Sequence, residues 1–235
     1  GIFEKDFGEM GISTEYAEIT SGADQTQALA SGDVQVLYAV GATSVILSAA
    51  NGADIKVLNM YSRSPKAFCM YSKDESLTTP ESLKGKTIAG PAGTNLHELL
   101  VSYLAQAGMS IDDVNYVSMS IPDAKAGLDG GSVDAALLAG SVAYNADKQG
   151  YHKVTDGEGL IKAIIAVATT QKFYDEHPEV IAQLEKSQQE IADFMKENPD
   201  ETMSIVAKEL DLDEEATAEK IEKIHTEYCL HQCRL

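Results

Sequence analysis

Apolar and polar positions follow two periods along this chain. Short apolar runs of strand length recur: residues 34–40 (VQVLYAV), 54–60 (DIKVLNM), 66–72 (KAFCMYS), 86–89 (KTIA), 114–119, 133–139 (VDAALLA), 151–155 and 160–169 (LIKAIIAVAT). Bounded by glycines and polar turns, such runs predict strands, several apolar enough to be buried on both faces. Residues 13–19 alternate and predict a further strand. Between these runs apolar residues return every three or four positions, which predicts helices, as at 96–107. Residues 1–10 read as the end of an amphipathic helix. After residue 170 only the helical period remains, with helices expected at about 179–197, 201–210 and 213–227; their charge runs read as solvated faces.

One arrangement of these elements occurs twice. Residues 28–52 (ALASGDVQVLYAVGATSVILSAANG) and 126–150 (AGLDGGSVDAALLAGSVAYNADKQG) align with Gly32 on Gly131, Val34 on Val133 and Gly41 on Gly140. Each copy reads as helix end, glycine, apolar strand, glycine, small hydroxyl residues and a new helix. Glycine stops the first helix because it enters the left-handed region without strain. The helix start after the second glycine offers free N–H groups and the positive end of a dipole, which suits an anionic or polar ligand. A third junction of this kind runs Gly90-Pro91-Ala92-Gly93-Thr94-Asn95. It lacks the Gly-Lys-Ser/Thr ending of a nucleotide-phosphate loop. Two matching starts imply two similar lobes facing one ligand.

The contacts expected from this pattern are Ser21, Gly22, Gly41, Thr43 and Ser44 in the first lobe, with Tyr61, Ser62 and Arg63 on the next loop. In the second lobe they are Gly93, Thr94, Asn95, His97, Gly140, Ser141 and Tyr144. Arg63 reads either as a partner for an acidic head group or as a surface ion pair. His97 reads as a ligand contact or as a solvated or core imidazole. Tyr61 and Tyr144 read as stacking surfaces or as core or rim tyrosines.

Composition narrows the partners. With 18 basic against 37 acidic residues the formal charge is −19, which argues against nucleic acid and against docking on an anionic membrane. No apolar run is long enough to cross a bilayer. Cys69 falls in an expected strand and reads as core. Cys229 and Cys233 lie one helical turn apart, near His225 and His231. A metal site, a disulfide and incidental tail residues all fit, and the spacing matches no specific zinc pattern. No metal site and no cofactor are assigned.

Taken in order, the segments TSG, ALASGDVQ, GATSVILSAANGADIKVL, ESLKGKTIAGPAGTNLHELLVSYLAQAGMSIDDVNYVSM, GGSVDAALLAG and FYDEHPEVIAQL resemble the solute-binding proteins of importers for nitrate, aliphatic sulfonates, taurine and thiamine precursors. The resemblance covers nearly the whole chain, and the LKGKTIAG–GT–HELL–YL–G block is its most specific part. It implies an α/β, two-lobed type II periplasmic-binding-protein fold, each lobe a mainly parallel sheet flanked by helices, with extra C-terminal helices. Lobe one is expected at 1–71 and 162–235, and lobe two at 72–161. The implied function is capture of a small polar solute between hinged lobes outside the cytoplasm, in a periplasm or as a cell-surface lipoprotein, and its delivery to an ABC permease in the membrane. An enzyme on the same fold, of the thiamine-pyrimidine or menaquinone biosynthesis type, is the alternative; the clustered cysteine run of the synthase type is missing. A degenerate, non-binding relative is a third reading. The family has one more strand before the helix at Gly1, inside the lobe-one sheet. Its loss would leave an unpaired edge, to be covered by a longer natural chain, another segment or a second subunit. The ending EYCLHQCRL also departs from the family's closing helix.

Overall fold

The apolar strands segregate into two sheets. A computed structural model describes residues 1–209, and of Tyr61 only the backbone. The helix expected at 213–227, together with His225, Cys229, His231 and Cys233, lies outside the described residues. The order is α1 (Ile2–Glu9), α2 (Gly22–Ser31), β1 (Val36–Gly41), α3 (Ala42–Ala50), β2 (Lys56–Arg63), β3 (Phe68–Ser72), β4 (Thr87–Gly90), α4 (Asn95–Ala105), β5 (Asn115–Ser118) and α5 (Ile121–Gly130). It continues with β6 (Ala135–Ala139), α6 (Gly140–Lys148), β7 (His152–Asp156), β8 (Ile164–Thr169), α7 (Gln171–Glu176), α8 (Pro178–Glu197) and α9 (Pro199–Glu209).

The smaller sheet has the order β1-β8-β2, with β8 antiparallel to both neighbours. Alternation along β8 divides its side chains. Ala166 and Ala168 pack with Leu29 of α2 and Val45 of α3, while Val167 packs with Phe7 of α1 and Leu184 of α8. The larger sheet has the order β5-β4-β6-β3-β7, parallel at β5-β4-β6 and antiparallel beyond. Its central strands β6 and β3 are covered on both faces. Met70, Ala135 and Leu137 meet Leu96, Leu100 and Leu104 of α4, while Cys69, Tyr71, Ala136 and Leu138 meet Ala124 and Leu128 of α5 and Ala143 of α6. That double covering is why AALLA and FCMYS are apolar throughout. Burial pushes the Cys69 thiol up to about 11, so it stays protonated and inert. Each fully buried leucine contributes roughly 1.5–3 kcal/mol.

Two expectations need correction. Residues 13–19 form no ladder with any described strand. Their alternation is real, but a strand exists only through a neighbour's hydrogen bonds, and among the described strands β1 pairs with β8 alone. The sequence pattern extends the first lobe to Tyr71, yet Phe68–Ser72 pairs with β6 and β7 of the larger sheet. The polar run after Ser72 is a surface excursion. The chain changes sheets earlier, at a 3-10 turn over Pro65–Ala67.

The chain returns between β7 and β8, and the two crossings are bonded to each other. Ser64 N–H donates to the Ala163 carbonyl at 3.4 Å, and Gly157 N–H donates to the Phe68 carbonyl at 3.0 Å. A Cβ on Gly157 would stand 2.6 Å from the Pro65 carbonyl oxygen. Ala163 holds a positive φ of 46°, an uncommon conformation for a residue with a side chain.

Candidate functional site

The repeat folds as its glycines require at the first position and diverges at the second. Gly32 (φ 83°) and Gly131 (φ 72°) are both left-handed caps, ending α2 and α5 with the same pair of backbone bonds. Gly41 and Gly140 share a place in the pattern but not a requirement for glycine. Gly140 has φ 61° and open space where a Cβ would be. Gly41 has ordinary φ, but its Cβ would stand 3.4 Å from the Asn95 amide. Gly140 serves backbone conformation, while a Cβ at Gly41 would make only an ordinary contact with Asn95.

Topology gathers the helix starts. Within the smaller sheet Gly41 and Ser62 both pair with Ile165, from opposite sides, and Arg63 pairs with Ile164. The ends of β1 and β2 therefore lie at one edge, where α3 begins. A bulge at Ala39 (φ 73°) turns the last residues of β1. In the larger sheet β4 and β6 are parallel neighbours, so α4 and α6 both spring from its carboxyl edge. Open α/β sheets bind ligands at such an edge.

The two edges meet. Thr43 Oγ1 lies 2.7 Å from Asn95 Oδ1 and 2.5 Å from Glu98 Oε2, and Ser44 Oγ donates to the Gly93 carbonyl at 2.8 Å. Ser21 stands at the N-cap position of α2 without a side-chain capping bond, and a Cβ on Gly22 would strike Ser44 Oγ at 2.5 Å. Four glycine- or hydroxyl-rich segments thus converge: the start of α2, the β1–α3 junction, the start of α4 and the end of β2. α6, with Gly140, Ser141 and Tyr144, starts from the same edge of the larger sheet as α4; no hydrogen bond among the described residues joins those three to α3.

Thr43 has one proton for two acceptors. A carboxylate is the stronger acceptor, so Glu98 competes with Asn95 Oδ1 for that proton. Asn95 Nδ2 has no hydrogen-bond partner among the described residues, in a residue only 2% exposed. Tyr144 Oη, in a residue 8% exposed, is in the same condition. A buried polar atom left unpaired costs about 1–3 kcal/mol, which a ligand would recover.

Other expected contacts have internal duties. Thr94 Oγ1 donates to the Pro91 carbonyl at 2.9 Å. Gly93 N–H donates to His97 Nδ1 at 3.2 Å, and the His97 ring stacks on Tyr116, 4.8 Å between centroids and 3° from parallel. Tyr116 in turn donates to the Gly90 carbonyl at 2.7 Å. His97 is therefore a brace for the loop before α4. Tyr61 lies in β2, its side chain outside what is described. Glu98 was not among the expected contacts. Its signal was its place on α4, one turn from Thr94 and Asn95.

Burial lowers the His97 pKa from its ordinary 6.5, and acceptance from Gly93 also requires an unprotonated Nδ1. A depressed folded-state pKa stabilises the fold above the unfolded value and loses that contribution as pH falls through the folded one. Denaturant midpoints should therefore drop as pH is lowered from about 7.5 to about 5. His97→Gln should flatten that slope; an unchanged slope would remove the brace assignment.

A groove of about 440 Å³ also lies between α1 and α8, lined by residues such as Ile2, Lys186, Glu190 and Asp193. Its solvated, charged rim carries no buried unpaired group.

Comparison with known proteins agrees with this architecture. The sequence profile described as NMT1/THI5 like matches residues 7–202. The chain belongs to the NMT1/THI5-like family. The taurine-binding periplasmic protein of Escherichia coli K12 is 27% identical over 196 residues, covering 82% of this chain and 60% of its own length. A putative aliphatic sulfonates-binding protein of the same organism is 30% identical over 152 residues, 60% of this chain and 47% of its own. The chain thus spans about half to two-thirds of these relatives. Among solved structures, the alkanesulfonate-binding protein SsuA from Xanthomonas axonopodis pv. citri bound to MOPS superposes with a TM-score of 0.86 at 20% identity, over 97% of this chain and 78% of that one. The SsuA protein of Escherichia coli gives 0.79 at 22%, over 96% and 77%. This NMT1/THI5-like chain therefore has the periplasmic-binding-protein fold.

Proposed function

We propose that this chain is the solute-binding part of an ATP-driven importer, working outside the cytoplasm and taking a small sulfonate between two hinged halves. One observation carries the reading: helix starts from two different sheets meet through Thr43, Ser44, Gly93, Asn95 and Glu98, beside a buried amide that lacks a partner. One half comprises the smaller sheet with α1, α2, α3, α7, α8 and α9. The other comprises the larger sheet with α4, α5 and α6, and the two crossings serve as the hinge. Ligand held by both halves favours the closed form, and the membrane permease reads that form. The relatives' sulfonate and taurine specificity supports the ligand class. Helix N-termini supply anion-binding donors without a large basic cluster, which suits so acidic a chain. Among the described residues β1 has a strand neighbour on one side only, and a further strand or a second subunit would add at its other edge.

No reaction is required. The imidazole that an enzyme would use as a base, His97, accepts from Gly93 and is stacked on Tyr116, which favours binding over catalysis. A thermal-shift titration with taurine, ethanesulfonate, nitrate and a thiamine-type pyrimidine tests the proposal. The sulfonates should raise Tm progressively, by an amount equivalent to about 2.7 kcal/mol at a hundredfold excess over Kd. A flat response to all four would point to a non-binding relative, and a shift with the pyrimidine alone would replace the ligand class.

A further inference from the structure

We propose that Ala163 is a backbone spring in the second crossing: it is strained while the two sheet edges meet and relaxes when the halves part, so it favours release of the solute. The inference rests on the proposed hinge and adds a device to it. Most positive-φ positions among the described residues are glycines; Ala39 and Ala163 are the exceptions. The bulge in β1 accounts for Ala39. No bulge accounts for Ala163, which has φ 46° and is 2% exposed. In the left-handed region a Cβ crowds the following carbonyl oxygen, and such strain persists only where the surroundings over-determine it.

The surroundings of Ala163 come from both halves. Its carbonyl accepts from Ser64 N–H of the first crossing at 3.4 Å. The next residue, Ile164, pairs with Arg63 and belongs to the smaller sheet. Ala163 also packs in a small core with Ile161 and with Leu99 of α4, which is fully buried. Leu99 follows Glu98, whose carboxylate meets Thr43 of α3. α4 therefore carries, at adjacent positions, a contact across the cleft and the contact that pins Ala163. Parting the edges moves α4 away from β8 with the larger sheet and takes Leu99 off Ala163, and the backbone is then free to relax. Gly159, in the same crossing, is the contrast. It has φ 75° and open space where a Cβ would be. Its turn is closed locally, with Leu160 and Ile161 N–H donating to the Gly157 carbonyl at 3.1 and 3.0 Å, so it does not depend on how the halves sit.

Calorimetric titration of the full chain with taurine and ethanesulfonate, and small-angle scattering with and without them, test the idea. Ligand should reduce the radius of gyration of wild type. Ala163→Gly should bind about 3- to 10-fold more tightly, and its ligand-free radius should lie nearer the bound value. Gly159→Ala should lower Tm and leave affinity within about twofold. An Ala163→Gly variant with raised Tm and unchanged affinity would be strained in both arrangements, which overturns the spring. So would a Gly159→Ala variant that shifts affinity as much, or a wild type that binds ligand without becoming more compact. Binding of neither sulfonate by wild type overturns the ligand class alone. The spring then stands if ligand-free Ala163→Gly is more compact than wild type, and falls if the two radii are equal.

Discussion

Leu137→Ala should lower the urea midpoint sharply, Gly90→Ala should lower it too, and the double variant should cost less than the sum. Leu137 is fully buried in β6 of the larger sheet, and truncating such a leucine costs about 2–5 kcal/mol. A Cβ on Gly90 would lie 2.6 Å from Leu137 Cβ and 2.9 Å from Cδ1. Neither chain can easily retreat. Gly90 pairs with Ser118 in the parallel ladder, and its carbonyl accepts from Met119 N–H at 3.1 Å and Tyr116 Oη at 2.7 Å. Overpacking of this kind costs about 1–3 kcal/mol. Removing the Leu137 side chain clears Cδ1 and opens space into which the strands can shift, so the two changes couple. Leu137→Ala keeps the Cβ at 2.6 Å, so strict additivity would mean that this retained contact, and not the removed branch, sets the cost at Gly90. Gly90 also opens the loop that leads to Gly93 and Asn95.

Thr43→Val combined with Ser44→Ala should weaken ligand binding by about 10- to 100-fold and leave the thermal stability of the ligand-free chain within a few degrees. Thr43 and Ser44 supply bonds between α3 and the start of α4. A hydrogen bond to a charged group is worth about 1.5–3 kcal/mol and a neutral one about 1. On the proposed hinge, losing both disfavours the closed arrangement, and apparent affinity falls with the closed fraction. Few core residues are touched, so global unfolding should change little. Small-angle scattering separates this cause from a lost ligand contact: the ligand-free double variant should have a larger radius of gyration than wild type. Unchanged affinity and unchanged dimensions together would mean that these bonds do not hold the two halves.

Much of the architecture was legible because it depends on local chemistry. Gly32 and Gly131 announce helix ends through a backbone conformation that other residues resist, and both do end helices in the left-handed region. The run AALLA announces a strand buried on both faces. Residues 13–19 were misread as a strand because alternation describes one chain while a ladder needs two. The run KAFCMYS was correctly read as a strand and assigned to the wrong half, since nothing within it records which neighbours it will pair with.

The site divides the same way. Thr43, Ser44 and Asn95 could be picked as helix-start residues from their spacing. That Thr43 meets Glu98, fifty-five positions away, could not, and neither could the engagement of His97 by Gly93 and Tyr116. By itself the order of residues determined where helices begin and end, which runs are buried, and that two matching junctions exist. Only the tertiary structure decided which junctions face each other and which polar atoms remain unpaired, because pairing energies belong to groups brought together from distant parts of the chain.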